Sequence, residues 1–385
     1  MSITVTSIPV EPEQQTPYRP LFIDCSSDSA NITRIIADVY VSGTLQTTVE
    51  KDPELGTTDQ FRIELGDIAT KYLVSEWNEP SSFLETYSDT TSALFFDITI
   101  FEVETISGVV TTTWAENGAG TLGLSTDNIY VFNGVNQHLQ TVESRRADGI
   151  TKKFLTNRPQ NSKILNNRDY FCGILPDVEN PSTRISIEEF DGVDGTGSSL
   201  GVSTSSYVSA PIRKASYSID ATQLNASTKS VKYFIEDTTP TQITEFFTVN
   251  VVAECGDEVV IYWQNHWGEF DTYFFAGNNT QSTKTKSKTI NNRLTQSYNS
   301  YDRGERDIKK FNTREFEVFT RTEKPEVIEW LSEIGESVDV FVMDGTDRVP
   351  INVKSVQSKI YNDAEGIFQF SLKYTMSNKR INQIG

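Results

Sequence analysis

The sequence predicts a mainly β fold: two antiparallel β-sandwich-like domains followed by a C-terminal β-rich domain with one short helix. Three observations predict it. Runs rich in Val, Ile, Thr, Phe and Tyr recur between turn residues, which is the composition of strands. Stretches such as VKYFIED (231–237) and ITEFFTVNVVAE (243–254) alternate with a period of two, the mark of half-buried antiparallel strands. Helical periodicity is scarce and no strand–helix–strand alternation occurs, which argues against a doubly wound nucleotide-binding fold.

The elements follow in order. Residues 1–15 read as an N-terminal tail; they lack the basic start and apolar centre of a secretory signal. The first sandwich spans 16–135, with strands expected at 32–41, 60–65, 93–104 and 108–114. A short helix is expected at 67–75, where Ile68, Tyr72 and Leu73 share a stripe. Residues 136–168 are polar and irregular (NGVNQ, ESRRADG, NRPQNS) and read as an extended connection or arm. The second sandwich spans 169–284, with strands at 183–190, 213–221, 230–236, 244–253 and 258–263. After its strands, NNTQSTKTKSKT (278–289) reads as a polar, locally basic loop that leads into the next domain. FRIELGD (61–67) and YSIDATQL (217–224) echo each other, each placing alternating apolar residues before an Asp and a turn. The C-terminal domain, 285–385, carries the best helix, at 325–334. Pro325 suits the first helical position, Glu326 suits the positive N-terminal end and Gly335 suits the residue past the C-terminus. Val327, Leu331 and Ile334 fall on one face, with Ile328 beside them.

Composition bounds the function. The 385 residues include 34 Lys and Arg against 53 Asp and Glu, a net −19. Such acidity argues against general or sequence-specific nucleic-acid binding, which needs clustered cations. No apolar run approaches the roughly 20 residues of a spanning helix, so no membrane partner is expected. Aromatic residues make up 11% and can build cores despite a hydrophobic fraction of only 37%. The three cysteines, Cys25, Cys172 and Cys255, form neither a disulfide framework nor a CxxC pair, and read as buried small apolar residues in a reducing compartment. Two histidines, His138 and His266, are too few and too far apart for a His-rich metal site.

No catalytic motif is present: no GxSxG elbow, no HExxH and no GxxxxGK[ST] loop. A glycosidase needs only two carboxylates, but nothing selects a pair from 53 acids. The chain is therefore expected not to be an enzyme and to need no cofactor. DGVDGTGSS (191–199) offers Asp191 and Asp194 on a Gly-rich turn, but lacks the order and closing Glu of a Ca²⁺ loop, and reads as a flexible loop without metal.

Two segments are candidates for contact. CGDEVVIYWQNHWGEFDTYFFAGNN (255–279) reads as a hairpin whose turn is QNHWG. Its Trp263, Trp267, Phe270, Tyr273 and Phe275 would anchor a sandwich core or a subunit interface, or stack on sugars. YDRGERDIKKFNTRE (301–315) is basic against the acidic whole. Its Arg303, Arg306, Lys309, Lys310 and Arg314 form either a salt-bridged strand edge or a patch complementary to an acidic neighbour.

With those segments in view, the chain resembles virion structural proteins of tailed bacteriophages, including tail and neck components of Bacteroidetes-infecting, crAss-like phages. The resemblance rests on YWQNHWGEFDTYFF after CGDEVVI, then RGERDIKKFNTREFEVFTRT, PEVIEWLSEIGES and VDVFVM, with YRPLFIDCSSDSANITRIIADVYVSG and FRIELGDI near the N-terminus. It implies a non-enzymatic protein of the virion, assembled in the host bacterial cytoplasm. It implies a ring in the tail, baseplate or neck, with further copies and other virion proteins as partners. The alternative is a receptor- or glycan-binding, lectin-like virion protein, and behind it a carboxylate-pair glycan hydrolase.

Overall fold

The computed structural model describes residues 3–7, 21–28, 30–41, 43–73, 82–88, 93–106, 109–114, 129–132, 154–174, 182–209, 215–253, 255–256, 258–277, 279–291, 305–345, 347–362, 367–377 and 381–384. The chain is mainly β, with mostly antiparallel sheets and a short helix near the C-terminus. It divides into two compact units whose segments interleave. One comprises Met1–Thr156, Asp169–Thr248 and Asn265–Phe270; the other comprises Asn157–Arg168, Val249–Gln264 and Asp271–Gly385.

The first unit begins with a three-stranded sheet ordered Ile3–Ser7, Phe22–Ser27, Gln60–Glu64. Ile3–Ser7 thus pairs as a strand within the 1–15 segment, where Ile, Val and two Thr alternate. A second sheet pairs Ile32–Val41 with Thr44–Lys51 and Ala93–Ile106, the last of which also pairs Val109–Trp114 and Ile129–Phe132. Ile23, Cys25, Phe61 and Ile63 of the first sheet and Ile35, Ala37, Val39, Ile98 and Ile100 of the second share one core. Helix Gly66–Tyr72 adds Ile68 and Ala69 to it. Period-two alternation places the strand side chains inward, and burying each Ile, Val or Phe is worth about 1.5–3 kcal/mol.

A further pair of sheets follows. Leu84–Ser88 pairs not with its sequence neighbours but with Ala215–Asp220, which pairs Asp169–Ile174 on its other side. The second of these sheets pairs Ser182–Phe190 with Ser230–Asp237, Ser199–Thr204 and Val208–Ser209. Buried rings join the two: Tyr170 lies 6.0 Å from Tyr233, and Tyr233 lies 5.0 Å from Phe154 and 5.2 Å from Phe247. The Tyr217 and Thr183 hydroxyls share a hydrogen bond of 2.6 Å. Both echo sequences run from a strand into a helical turn, Gly66–Tyr72 in one case and Ala221–Gln223 in the other.

The second unit holds an eight-stranded sheet. Its order is Phe270–Phe275, Val259–Gln264, Val340–Asp344, Asp347–Asn362, Ile367–Met376, Glu305–Phe319, Thr280–Asn291, with Ile381–Ile384 also pairing Glu305–Phe319. Helix Pro325–Ser332 packs Val327, Ile328, Trp330 and Leu331 against this sheet, among Trp263, Val342, Phe370 and Leu372. Pro325 starts it and a 3₁₀ turn, Glu333–Gly335, ends it. Gly335 is demanded by proximity rather than by a left-handed backbone: a Cβ there would lie 2.8 Å from Val356 Cγ2. Ser162–Leu165 pairs in parallel with Val249–Val252 in this unit.

Two expectations need correction. The stretch 280–289 is not a loop: Thr280–Asn291 is a twelve-residue strand. Its polarity reflects exposure on every position, while alternating β-branched Thr supports extension. Cys255 is exposed, unlike Cys25 and Cys172. It lies in a tight turn whose backbone N–H groups, from Cys255 and Gly256, donate to the Glu258 carboxylate at 3.0 and 2.8 Å, and that turn faces solvent. Residues 136–153 of the expected arm lie outside the described residues; Phe154 and Leu155 are buried.

Candidate interaction surface

The aromatic hairpin is built by Val259–Gln264 and Phe270–Phe275, joined by a turn that one side chain organises. Asn265 Oδ1 accepts from the N–H groups of Trp267 (2.9 Å) and Glu269 (3.1 Å), and its amide donates to Leu155 O at 3.0 Å. Gly268, at φ +75°, supplies the left-handed residue that the turn needs. Five expected contact residues lie here, and all are buried: Trp263 and Phe275 at 0% exposure, Trp267 and Tyr273 at 4%, Phe270 at 5%. Trp263 lies 5.0 Å from Trp330. The Trp330 indole N–H donates to Asp271 Oδ2 at 2.8 Å, and the Arg158 guanidinium sits 5.1 Å from the Trp330 ring while donating to Thr272 O. Tyr273 donates to Glu323 at 3.0 Å, and burial pushes its phenol well above the usual range. Glu269, also buried, accepts from Ser216 at 2.6 Å and closes over Gly173, where a Cβ would lie 2.6 Å from its carboxyl. These rings present no open face for sugars or for a neighbour.

The second hairpin is its opposite. Thr280–Asn291 pairs antiparallel with Glu305–Phe319 along its whole length. It forms the sheet edge, and all twelve of its residues are exposed. On the inner side, Glu305–Phe319 is joined to Ile367–Met376 only through Glu315–Phe319, and to Ile381–Ile384 through Lys309–Phe311. Phe316 stacks on Tyr374 at 5.2 Å and anchors the base.

Register decides which side chains share a face. Lys284 lies opposite Thr313, Lys286 opposite Phe311, Lys288 opposite Lys309 and Ile290 opposite Arg306. Cross-strand partners point the same way, so one face carries these lysines together with Phe311 and Ile290, which are 39% and 49% exposed. Alternate lysines on an extended strand stand about 7 Å apart. Lys309 Nζ lies 4.9 Å from the Phe311 ring centre. Lys284 donates to Glu315 at 2.7 Å, which holds that carboxyl below its ordinary range. Neither Lys286 nor Lys288 has an ion-pair partner among the described residues.

The expected basic contacts divide accordingly. Lys309 belongs to the face just described. Lys310, exposed, pairs with Asp307 at 2.9 Å on the other face, which also carries Arg314, opposite Thr283. Arg306 is placed by its backbone, and its side chain lies outside the described residues, as does all of Arg303. Lys284, Lys286 and Lys288 join the face of Lys309 beyond the residues expected from the sequence. Their signal was the T-K-T-K-S-K alternation, which is strand-like whatever its polarity.

Other sites are plainer. Asp191 Oδ1 accepts from Ser198 N at 2.7 Å and so closes its own loop, while Asp194 is exposed. Among the described residues, no three His, Cys, Asp or Glu side chains converge as metal ligands, and no helix is long and apolar enough to cross a membrane. His266 is half-buried; His138 lies outside the described residues.

No family model matches the chain, and no curated protein does. Among solved structures, the chain is similar to one in the crystal structure of Dpr2 Ig1-Ig2 in complex with DIP-Theta Ig1-Ig3. The identity is 8% and the TM-score 0.19, over 100% of this chain and 92% of that one, a level of likeness on which no argument rests.

Proposed function

We propose that the chain is a non-enzymatic structural protein of a tailed-phage virion that forms a ring in the tail, baseplate or neck by contact between copies. The observation that carries this is strand Thr280–Asn291, exposed at every position. Its twelve residues lie exposed at a sheet edge, where three lysines oppose edge-to-edge strand pairing and leave the face of the ribbon for contact with a partner of opposite charge. The likeness of the aromatic hairpin, the basic strand and the helix to tailed-phage tail and neck proteins supports the setting. The burial of Trp263, Trp267 and Tyr273 gives no support to the glycan-binding alternative in that hairpin.

The test has two parts. Purified protein is examined by light scattering and negative-stain electron microscopy, and particles of the encoding phage by mass spectrometry. The expected result is closed rings of the 43.3 kDa chain and its peptides in the particles. A chain that stays monomeric and is absent from purified particles overturns the proposal.

A further inference from the structure

The net charge is not spread evenly over the chain. The first unit holds 14 Lys and Arg against 34 Asp and Glu, a net −20, while the second holds 20 against 19, a net +1. Within the second, residues 280–319 hold nine basic and five acidic residues, a net +4. Each unit also leaves part of its excess unanswered. Lys286 and Lys288 have no partner among the described residues. In the first unit, Arg62 is taken up by Asp24 at 2.7 Å and Glu54 at 3.5 Å. Asp52, Asp59, Glu64 and Asp67 remain, all exposed and without a cation partner among the described residues. Glu64 projects outward from strand Gln60–Glu64, and Asp67 lies just beyond it in the first turn of helix Gly66–Tyr72.

We infer that the lysine face of the second hairpin docks onto this acidic surface of a second copy. The inference rests on the reading that the chain assembles with itself, and deepens it by naming the two surfaces. A basic face on one part of the molecule and an acidic face on another make a head-to-tail contact, and repetition of such a contact closes a ring when the rotation allows. Exposed Phe311 and Ile290 supply the apolar centre that the flanking lysines orient. Nucleic acid is the rival occupant, because a two-stranded ribbon fits a major groove. The chain's net −19 opposes it, whereas a second copy brings −20 in its first unit.

The experiment uses full-length chain and three variants, each checked for folding by circular dichroism: K286E/K288E, E64K/D67K and the combination of all four substitutions. Self-association is measured by sedimentation velocity at low and high salt. The expected result is association that weakens with salt, falls about tenfold or more in each double variant, and returns in the quadruple variant, where the charges are exchanged. Association that is unchanged in K286E/K288E places the contact elsewhere and overturns the inference, leaving assembly standing. No association of the unaltered chain at any concentration overturns both. Duplex DNA binding that K286E/K288E abolishes, without self-association, assigns the ribbon to nucleic acid and overturns it too.

Discussion

The two consecutive hairpins of the second unit are built by the same rule and put to opposite use. In Val259–Gln264 with Phe270–Phe275, nearly every residue is buried; in Thr280–Asn291, none is. Both are strand pairs held by backbone hydrogen bonds, although the first is apolar on nearly every position and the second alternates Thr or Ser with Lys. Strand formation therefore depends on pairing and extension, while burial depends on side-chain size and on what packs above. The first hairpin has helix Pro325–Ser332 with Trp330; nothing described covers the second. The first hairpin belongs to the core of its unit, while the second stays exposed and is the surface proposed above for contact.

That contrast can be broken at several points. The largest effect is expected from Trp263→Ala, which opens a cavity beside Trp330. A loss of about 3–5 kcal/mol in chemical denaturation is expected. A loss under about 1 kcal/mol would mean that the hairpin is not the keystone of its unit.

Alkali comes next. Burial raises the Tyr374 phenol from 10.0 to about 12, and Tyr273 is also raised. Between pH 10 and 12 the folded chain keeps protons that the unfolded chain releases. Stability is thus complete below about pH 10 and falls as pH rises through 12, by up to about 2–3 kcal/mol for Tyr374. Tyr374→Phe should flatten that part of the profile, and an unchanged profile would show that the phenol is not protected.

Asp271→Ala should cost about 1–3 kcal/mol, because it leaves the buried Trp330 indole N–H without its acceptor. Trp330→Phe in the same background should recover part of the loss, and a double-mutant cycle reads the coupling. The smallest effect on stability belongs to the ribbon: K286E/K288E should stay within about 0.5 kcal/mol of the unaltered chain. A cost comparable to Trp263→Ala would mean that the ribbon supports the fold itself, and the division of labour between the hairpins would fail.

Much of the architecture was legible in the residues. Strand Ile32–Val41 coincides with its expected bounds, because alternation from Ile35 to Val41 leaves one face to bury, with a register shift between Ile32 and Arg34 at its start. Helix Pro325–Ser332 starts where Pro and Glu require. The burial of Trp330 is not legible from helical spacing, since the stripe of Val327, Leu331 and Ile334 satisfies the pattern without it. The aromatic hairpin was found, but not which way its rings face, because a ring suits a core and an interface equally. The lysine face is half-legible: the basic run marks Lys309, but the polarity of the preceding stretch hides the strand that sets Lys288 opposite it.

By itself, the sequence determined what is local: alternation, turn chemistry at Gly268, the start of the helix, and the count of charges. Those depend on neighbours along the chain. The tertiary structure decided pairing at a distance. It put Leu84–Ser88 beside Ala215–Asp220, covered Trp263 with Trp330, and set Lys288 opposite Lys309. Register and partner choice follow from which surfaces exclude water together, and that is a property of the folded chain rather than of any one segment.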